Sequence, residues 1–257
     1  IILAMDVSGS MRAEDVKPNR LVASQEAAKT FVKNLPHEVR VGVVSFAGTA
    51  AVVQAPTTSR DDIIAAIDRF QLQRGTATGS GIILSLATLF PDHGIEIQHV
   101  TGQRNFPGRP LGEARPDKPF TPVAPGSYTS AAIVMLTDGQ RTTGPDPLEA
   151  AKMAADRGVR VYTVGIGTKE GEVIGFEGWS MRVRLDEETL KKVAQITHGE
   201  YFYAGTAEDL KKVYEALSAR VVVERKETEI TALFAALGGL FALLAAVLSM
   251  WWFGRVA

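Results

Sequence analysis

Apolar residues fall along this chain in two rhythms, short unbroken runs and longer stretches in which they recur every three or four positions. The runs predict strands at Ile1–Met5, Arg40–Phe46, Ala51–Gln54, Ala132–Leu136, Arg160–Val164 and Tyr201–Tyr203. The longer rhythm predicts helices between them. Leu21, Ala28, Phe31 and Leu35 share one face of a helix that Pro36 stops, and another helix runs from near Gly79 to near Phe90. Ser59 and Asp62 have the Ser/Thr-x-x-Asp/Glu spacing of a capping box, which opens a helix reaching Phe70; Thr206 and Asp209 repeat the device ahead of Leu210, Val213, Tyr214 and Leu217. Asp186 can cap a helix carrying Leu190, Val193 and Ala194, with Gly199 just past its end. Strands alternating with helices predict an α/β fold over residues 1–219, a doubly wound and mostly parallel sheet flanked by helices.

Two stretches break the rhythm. Between Pro91 and Ser130 stand seven of the chain's twelve prolines, with Gly102, Gly108, Gly112 and Gly126, so residues 91–130 are expected to form a long surface insertion. Residues 168–185 carry several glycines but also Val173, Ile174, Phe176, Trp179 and Val183, which predicts a hairpin flap. No internal repeat is visible.

Near the C-terminus the pattern changes again. Residues 230–253 contain no charged side chain and only two hydroxyls, Thr231 and Ser249. As a helix they would extend roughly 36 Å, enough for a hydrocarbon layer of about 30 Å, and the absence of a polar face favours a membrane span over a core helix. Trp251 and Trp252 fall where an interfacial aromatic belt belongs. Residues 220–229 then form a juxtamembrane linker. Arg220, Arg225 and Lys226 precede the span and Arg255 follows it, which by the positive-inside rule favours a cytosolic domain unless spans upstream of residue 1 reverse it. The chain opens directly on a buried strand without an initiator Met, so an upstream continuation is expected.

Composition narrows the field. The 257 residues are 46% hydrophobic with a net charge of −1, which suits a globular core and argues against disorder or a nucleic-acid binder. With no cysteine there is no disulfide, thiolate metal site or cysteine nucleophile.

The candidate chemistry lies in three short segments. Asp6-Val7-Ser8-Gly9-Ser10 follows the first strand, Arg74-Gly75-Thr76 precedes a helix, and Thr137-Asp138-Gly139 closes a later strand. In an open parallel sheet, ligands sit beyond the carboxyl ends of the strands at the topological switch point, so Asp6 and Asp138 are expected on one rim. The alternation of Asp6, Ser8 and Ser10 turns their side chains the same way, with Gly9 allowing a sharp turn between the serines, and Thr76 adds an oxygen from an independent segment. Carboxylates and hydroxyls are hard donors suited to Mg²⁺ first, with Mn²⁺ or Ca²⁺ as alternatives. Five protein oxygens leave a coordination position that a partner's Asp or Glu could fill. Each segment alone would pass for a cap or a turn; their joint placement points to a metal site of Asp6, Ser8, Ser10, Thr76 and Asp138.

These residues resemble a von Willebrand factor type A domain carrying a metal-ion-dependent adhesion site, and in particular the membrane-anchored bacterial Bat (aerotolerance) proteins. The likeness covers nearly the whole chain, through DVSGSMRAEDVKPNR, RGTATGSGI, VMLTDGQ, GVRVYTVGIGT and LDEETLKKVAQITHGEYFYA. It implies a Rossmann-like fold in which Ser8, Ser10 and Thr76 touch the cation and Asp6 and Asp138 act partly through water. It also implies a protein-interaction role without catalysis at a bacterial plasma membrane, with a MoxR-type AAA+ ATPase and other Bat-like membrane proteins as candidate partners. The insertion at 91–130 is longer than such domains lead one to expect, and the upstream spans typical of Bat proteins are not in the sequence. The competing reading is a Mg²⁺-dependent hydrolase or phosphotransferase with Asp6 as nucleophile. Against it, Ser8 stands where a second acid would be wanted, and the sequence places no Lys or His near the rim.

Overall fold

A computed structural model of the chain describes residues 1–97, 100, 121–168, 170–176, 179–223, 238, 241–245 and 248. The chain divides into two compact units, Ile1–Glu224 and Arg225–Ala257. Strands of the first unit are β1 (Ile2–Asp6), β2 (Val41–Phe46), β3 (Ala50–Thr57), β4 (Ala132–Thr137), β5 (Arg160–Ile166), β6 (Glu172–Phe176), β7 (Trp179–Val183) and β8 (Tyr201–Ala204). Among the described residues its helices are α1 (Arg20–Asn34), α2 (Arg60–Asp68), α3 (Thr78–Leu89), α4 (Pro147–Asp156), α5 (Glu187–Ile196) and α6 (Ala207–Val223), with a 3-10 turn at Gly9–Arg12.

Six strands make one sheet in the order β3-β2-β1-β4-β5-β8, parallel throughout except for the antiparallel β2–β3 pair. Alternation along each strand divides the core in two. Leu3, Met5, Val43, Val134, Leu136 and Val164 pack with α1, α2 and α6, while Ile2, Ala4, Val44, Ile133, Met135 and Val161 pack with α3, α4 and α5. Strands buried on both faces explain why the sequence shows continuous apolar runs there. Each such Val, Leu, Ile or Met side chain, fully withdrawn from water, contributes roughly 1.5–3 kcal/mol. The rings of Phe31 and Tyr214, 5.0 Å apart, fasten α1 to α6.

The doubly wound, mostly parallel architecture is the one expected, and the predicted strands all form. β3 is longer than its apolar signal because it is an edge strand with only Ala50 buried, a position that also tolerates Pro56. Helix α4 is not visible as an apolar stripe. Its buried face is mainly Ala150, Ala151, Ala154 and Ala155, and it is announced only by Asp146, whose side chain accepts from the Leu148 N–H at 2.7 Å, and by Pro147 in the first turn.

The predicted flap is present as the β6–β7 hairpin, paired from Glu172↔Val183 to Phe176↔Trp179, and its Ile174 and Val183 pack on Ala13. At the long insertion, residues 98, 99 and 101–120 lie outside the described residues. The returning end is seated: the Val123 N–H donates to the Asp156 carbonyl at 2.8 Å and the Tyr128 N–H to the Gly158 carbonyl at 2.9 Å. Most of the predicted linker 220–229 and span 230–253 likewise lies outside the described residues, among which no helix is long and apolar enough to cross a membrane. In the second unit Phe241, Leu243, Leu244 and Leu248 are exposed.

Candidate metal site

The chain leaves β1 outward to β2 and β3 and then crosses back to β4 on the other side, so the switch point lies between β1 and β4. Asp6 is the last residue of β1, and Asp138 follows the last residue of β4. The two strands are in register at Met5↔Leu136, which sets Asp6 beside Thr137. The Thr137 hydroxyl donates to Asp6 Oδ2 at 2.5 Å, and the Ser8 N–H donates to Asp6 Oδ1 at 2.7 Å. Both oxygens of Asp6 are therefore engaged and its side chain has one orientation.

Ser8 keeps an extended backbone while Gly9 begins the 3-10 turn, and the hydroxyls of Ser8 and Ser10 lie 2.9 Å apart. The serines share a side, as the alternation predicted. The sharp turn expected at Gly9 is made by this 3-10 geometry, and Gly9 is not among the described glycines of positive φ. The loop bearing Thr76 arrives alongside: Ser8 bridges to Gln73, whose N–H donates to the Val7 carbonyl at 2.8 Å. Thr76 is then held by the Thr142 hydroxyl on its N–H at 2.8 Å and by the Thr142 and Thr143 N–H groups on its carbonyl. Gly139, at φ 79°, takes the left-handed turn after Asp138, where a side chain would strike the Asp186 carbonyl.

The fold thus delivers all three segments to one rim, with Asp6, Ser8, Ser10, Thr76 and Asp138 all buried. Exposure grades through the set. Ser10 is 7% and Thr76 4% exposed, Ser8 1%, and both aspartates 0%, so hydroxyls form the lip and carboxylates the floor.

Sequence reasoning missed the cation in this floor. Arg20, itself 0% exposed, places Nη1 3.1 Å from Asp138 Oδ2, and its Nε and Nη2 form a fork on Asp15 at 2.8 and 2.6 Å. Asp15 Oδ2 also accepts from the N–H and hydroxyl of Thr168, at 2.8 and 3.0 Å. The stretch Asp15-Val-Lys-Pro-Asn-Arg20 carried a family likeness but no local spacing that assigns these roles.

Arg20 is shared between Asp15 and Asp138, and Asp6 lies beside Asp138, so among the described residues one guanidinium answers three carboxylates and the charge does not balance. Burial, and after it the neighbouring Asp138, push the Asp6 carboxyl up to about 7. Burial likewise raises Asp138, against the opposing pull of the Ser10 hydroxyl and Arg20. Asp15 moves the other way: burial is the largest single influence and would raise it, but hydrogen bonds from Arg20 and Thr168 together hold it down to about 2. Among the described residues no three His, Cys, Asp or Glu side chains converge as a metal-holding group. The set here is instead two carboxylates with three hydroxyls, and its uncompensated negative charge and all-oxygen donors fit a hard divalent cation.

Fold and site together define the class. Profiles of the von Willebrand factor type A domain match residues 1–105 and 125–216, and the chain belongs to that family. Within it the chain is 35% identical over 253 residues to the UPF0353 protein of Mycolicibacterium vanbaalenii, a match covering 96% of this chain and 68% of the relative. Among solved structures, BatB of Bacteroides thetaiotaomicron superimposes with a TM-score of 0.65 at 24% identity, covering 88% of this chain and 98% of that one. An aerotolerance-related membrane protein of Bacteroides fragilis gives 0.65 at 22%, covering 86% and 96%. Proximal thread matrix protein 1 of the mussel byssus, solved with a zinc-occupied MIDAS motif, gives 0.54 at 19%, covering 87% of this chain and 45% of that one.

Proposed function

We propose that this chain is a membrane-anchored, metal-dependent protein-interaction module. The observation that carries the reading is the graded rim site, in which buried carboxylates lie beneath a lip of hydroxyls and lack enough cation to balance them. Ser8, Ser10 and Thr76 would offer their oxygens directly to a divalent cation, Mg²⁺ ahead of Mn²⁺ or Ca²⁺. Asp6 and Asp138 would orient water and offset its charge. When bound, that cation supplies a Lewis-acidic position open to an Asp or Glu carboxylate from a partner protein. Likeness to Bat proteins makes a MoxR-type AAA+ ATPase and other Bat-like membrane proteins the candidate partners, and assembly or stress tolerance the candidate process. The uncharged stretch 230–253 supports an anchor in a bacterial plasma membrane, in contact with lipid.

The same geometry supports a non-enzymatic role. Asp6 as a nucleophile would need a free oxygen facing substrate, yet both of its oxygens accept hydrogen bonds within the floor. Arg20 supplies positive charge but is wholly buried between Asp15 and Asp138. The test is calorimetric titration with Mg²⁺ and Mn²⁺ on the whole chain and on Asp6→Ala and Asp138→Ala, beside capture of partners from membrane extract with and without EDTA. Metal binding and capture should disappear in both variants while the far-ultraviolet circular dichroism stays native. Unchanged titration in both would sink the site. Phosphoester turnover that Asp6→Ala removes would favour the hydrolase or phosphotransferase reading instead.

A further inference from the structure

The hairpin insertion is tied to the metal-site floor at both of its ends. Thr168, where the chain leaves β5, donates twice to Asp15 Oδ2, and Asp15 is forked by Arg20, whose remaining nitrogen holds the Asp138 side chain. At the far end, the Asp186 N–H donates to the Asp138 carbonyl at 2.8 Å. Between these ends, Glu172 at the start of β6 accepts from the backbone N–H groups of Glu14 and Asp15, the latter at 2.8 Å. Ile174 and Val183 close over Ala13 in a small apolar cluster of their own. Gly167 lies against the guanidinium, where a Cβ would come within 2.6 Å of its carbon, so the strand end is shaped around Arg20.

We propose that Arg20 is a positioning residue that makes the hairpin and the metal site one coupled unit: it fixes Asp138 only while Asp15 is held by the seated hairpin. The proposal rests on the metal-site reading above. Arg20 suits the task because a planar guanidinium can hold two carboxylates in fixed orientations, which a lysine ammonium, a point charge on a flexible stem, cannot. A buried side chain that holds two carboxylates at once transmits displacement from one to the other. If the hairpin lifts, Asp15 loses Thr168 and its backbone tie to Glu172, and Asp138 loses a defined partner. By linkage the effect is reciprocal, so a cation that orders Asp138 also seats the hairpin.

The experiment is hydrogen exchange of the hairpin amides 172–175 and 180–183, read by mass spectrometry on the whole chain with Mg²⁺ or with EDTA, alongside Mg²⁺ titration. In the natural sequence Mg²⁺ should slow exchange there about fivefold or more, the low end of ordinary allosteric coupling. Glu172→Gln, a change at a side chain bonded to Glu14 and Asp15 rather than to a proposed metal ligand, should weaken Mg²⁺ binding by a similar factor. Arg20→Lys should still bind Mg²⁺ but leave hairpin exchange indifferent to it, which a merely structural role would not produce. If the natural chain binds Mg²⁺ while hairpin exchange stays within twofold and Glu172→Gln binds as before, the coupling is overturned and the metal site stands. If the natural chain binds no divalent ion, both fall.

Discussion

Asp6 is a carboxylate with no exposed surface, a second carboxylate beside it and its own pKa near 7. Such a group destabilises the metal-free fold whenever it is ionised. Replacing it by Asn in Asp6→Asn keeps the shape and removes the charge. In EDTA at pH 8 this variant should melt roughly 3 °C or more above the natural chain, since a kcal/mol is roughly 2–4 °C at this size, while losing Mg²⁺ binding. The same logic sets a pH dependence. The folded pKa lies above the usual value of 3.8, so between about 4 and 7 the folded state holds more protons than the unfolded one, and stability falls as pH rises through that window. Melting in EDTA should therefore occur at higher temperature at pH 5 than at pH 8, and saturating Mg²⁺ should erase or reverse the difference. Asp15, held near 2, opposes this only below pH about 4, where its contribution is lost as pH falls. A flat EDTA profile from pH 5 to 8 would contradict the charge imbalance. The gathering of Asp6, Ser8, Ser10, Thr76 and Asp138 on one rim was legible because each sits in a short motif at a strand or helix boundary. Arg20 was not, because its partner Asp138 lies 118 positions away and only the closed sheet brings them together.

Among the elements, legibility followed side-chain size. Strands β1, β2, β4 and β5 bury large aliphatic residues on both faces and announce themselves. Helix α4 buries mainly alanines, whose small area gives little periodic signal, so its cap and proline were the only guides. Capping residues carry measurable weight at this scale. The Asp186 side chain accepts from the Thr189 N–H and hydroxyl at 3.2 and 2.7 Å to open α5, while its backbone N–H serves Asp138. Asp186→Ala removes the first task and spares the second. It should cost about 1 kcal/mol, a fall of roughly 2–4 °C in melting temperature, and leave Mg²⁺ affinity within about twofold. A tenfold loss of affinity would mean that the side chain, and not the backbone donor, supports the metal-site floor.

At the scale of the whole molecule, the first unit has its own two-sided core and the second exposes Phe241, Leu243, Leu244 and Leu248. The full chain is expected in the membrane fraction of cells that produce it. A chain ended at Glu224 should appear in the soluble fraction, with native circular dichroism and unchanged Mg²⁺ affinity; its retention in membranes would show that residues beyond that point are not the anchor. The expected span stands out in the sequence because a bilayer crossing would demand an uninterrupted apolar stretch, which residues 230–253 supply. The fold around the site has a different lesson. Asp6 ends β1 and Asp138 stands one residue past the end of the neighbouring β4, so the sheet fixes where the two acids leave the backbone, at the switch point between paired strands. Exposed positions around that rim can therefore drift in sequence while the strand ends that carry the two acids stay put. Selection can rewrite the lock plate around this keyhole without moving the keyhole.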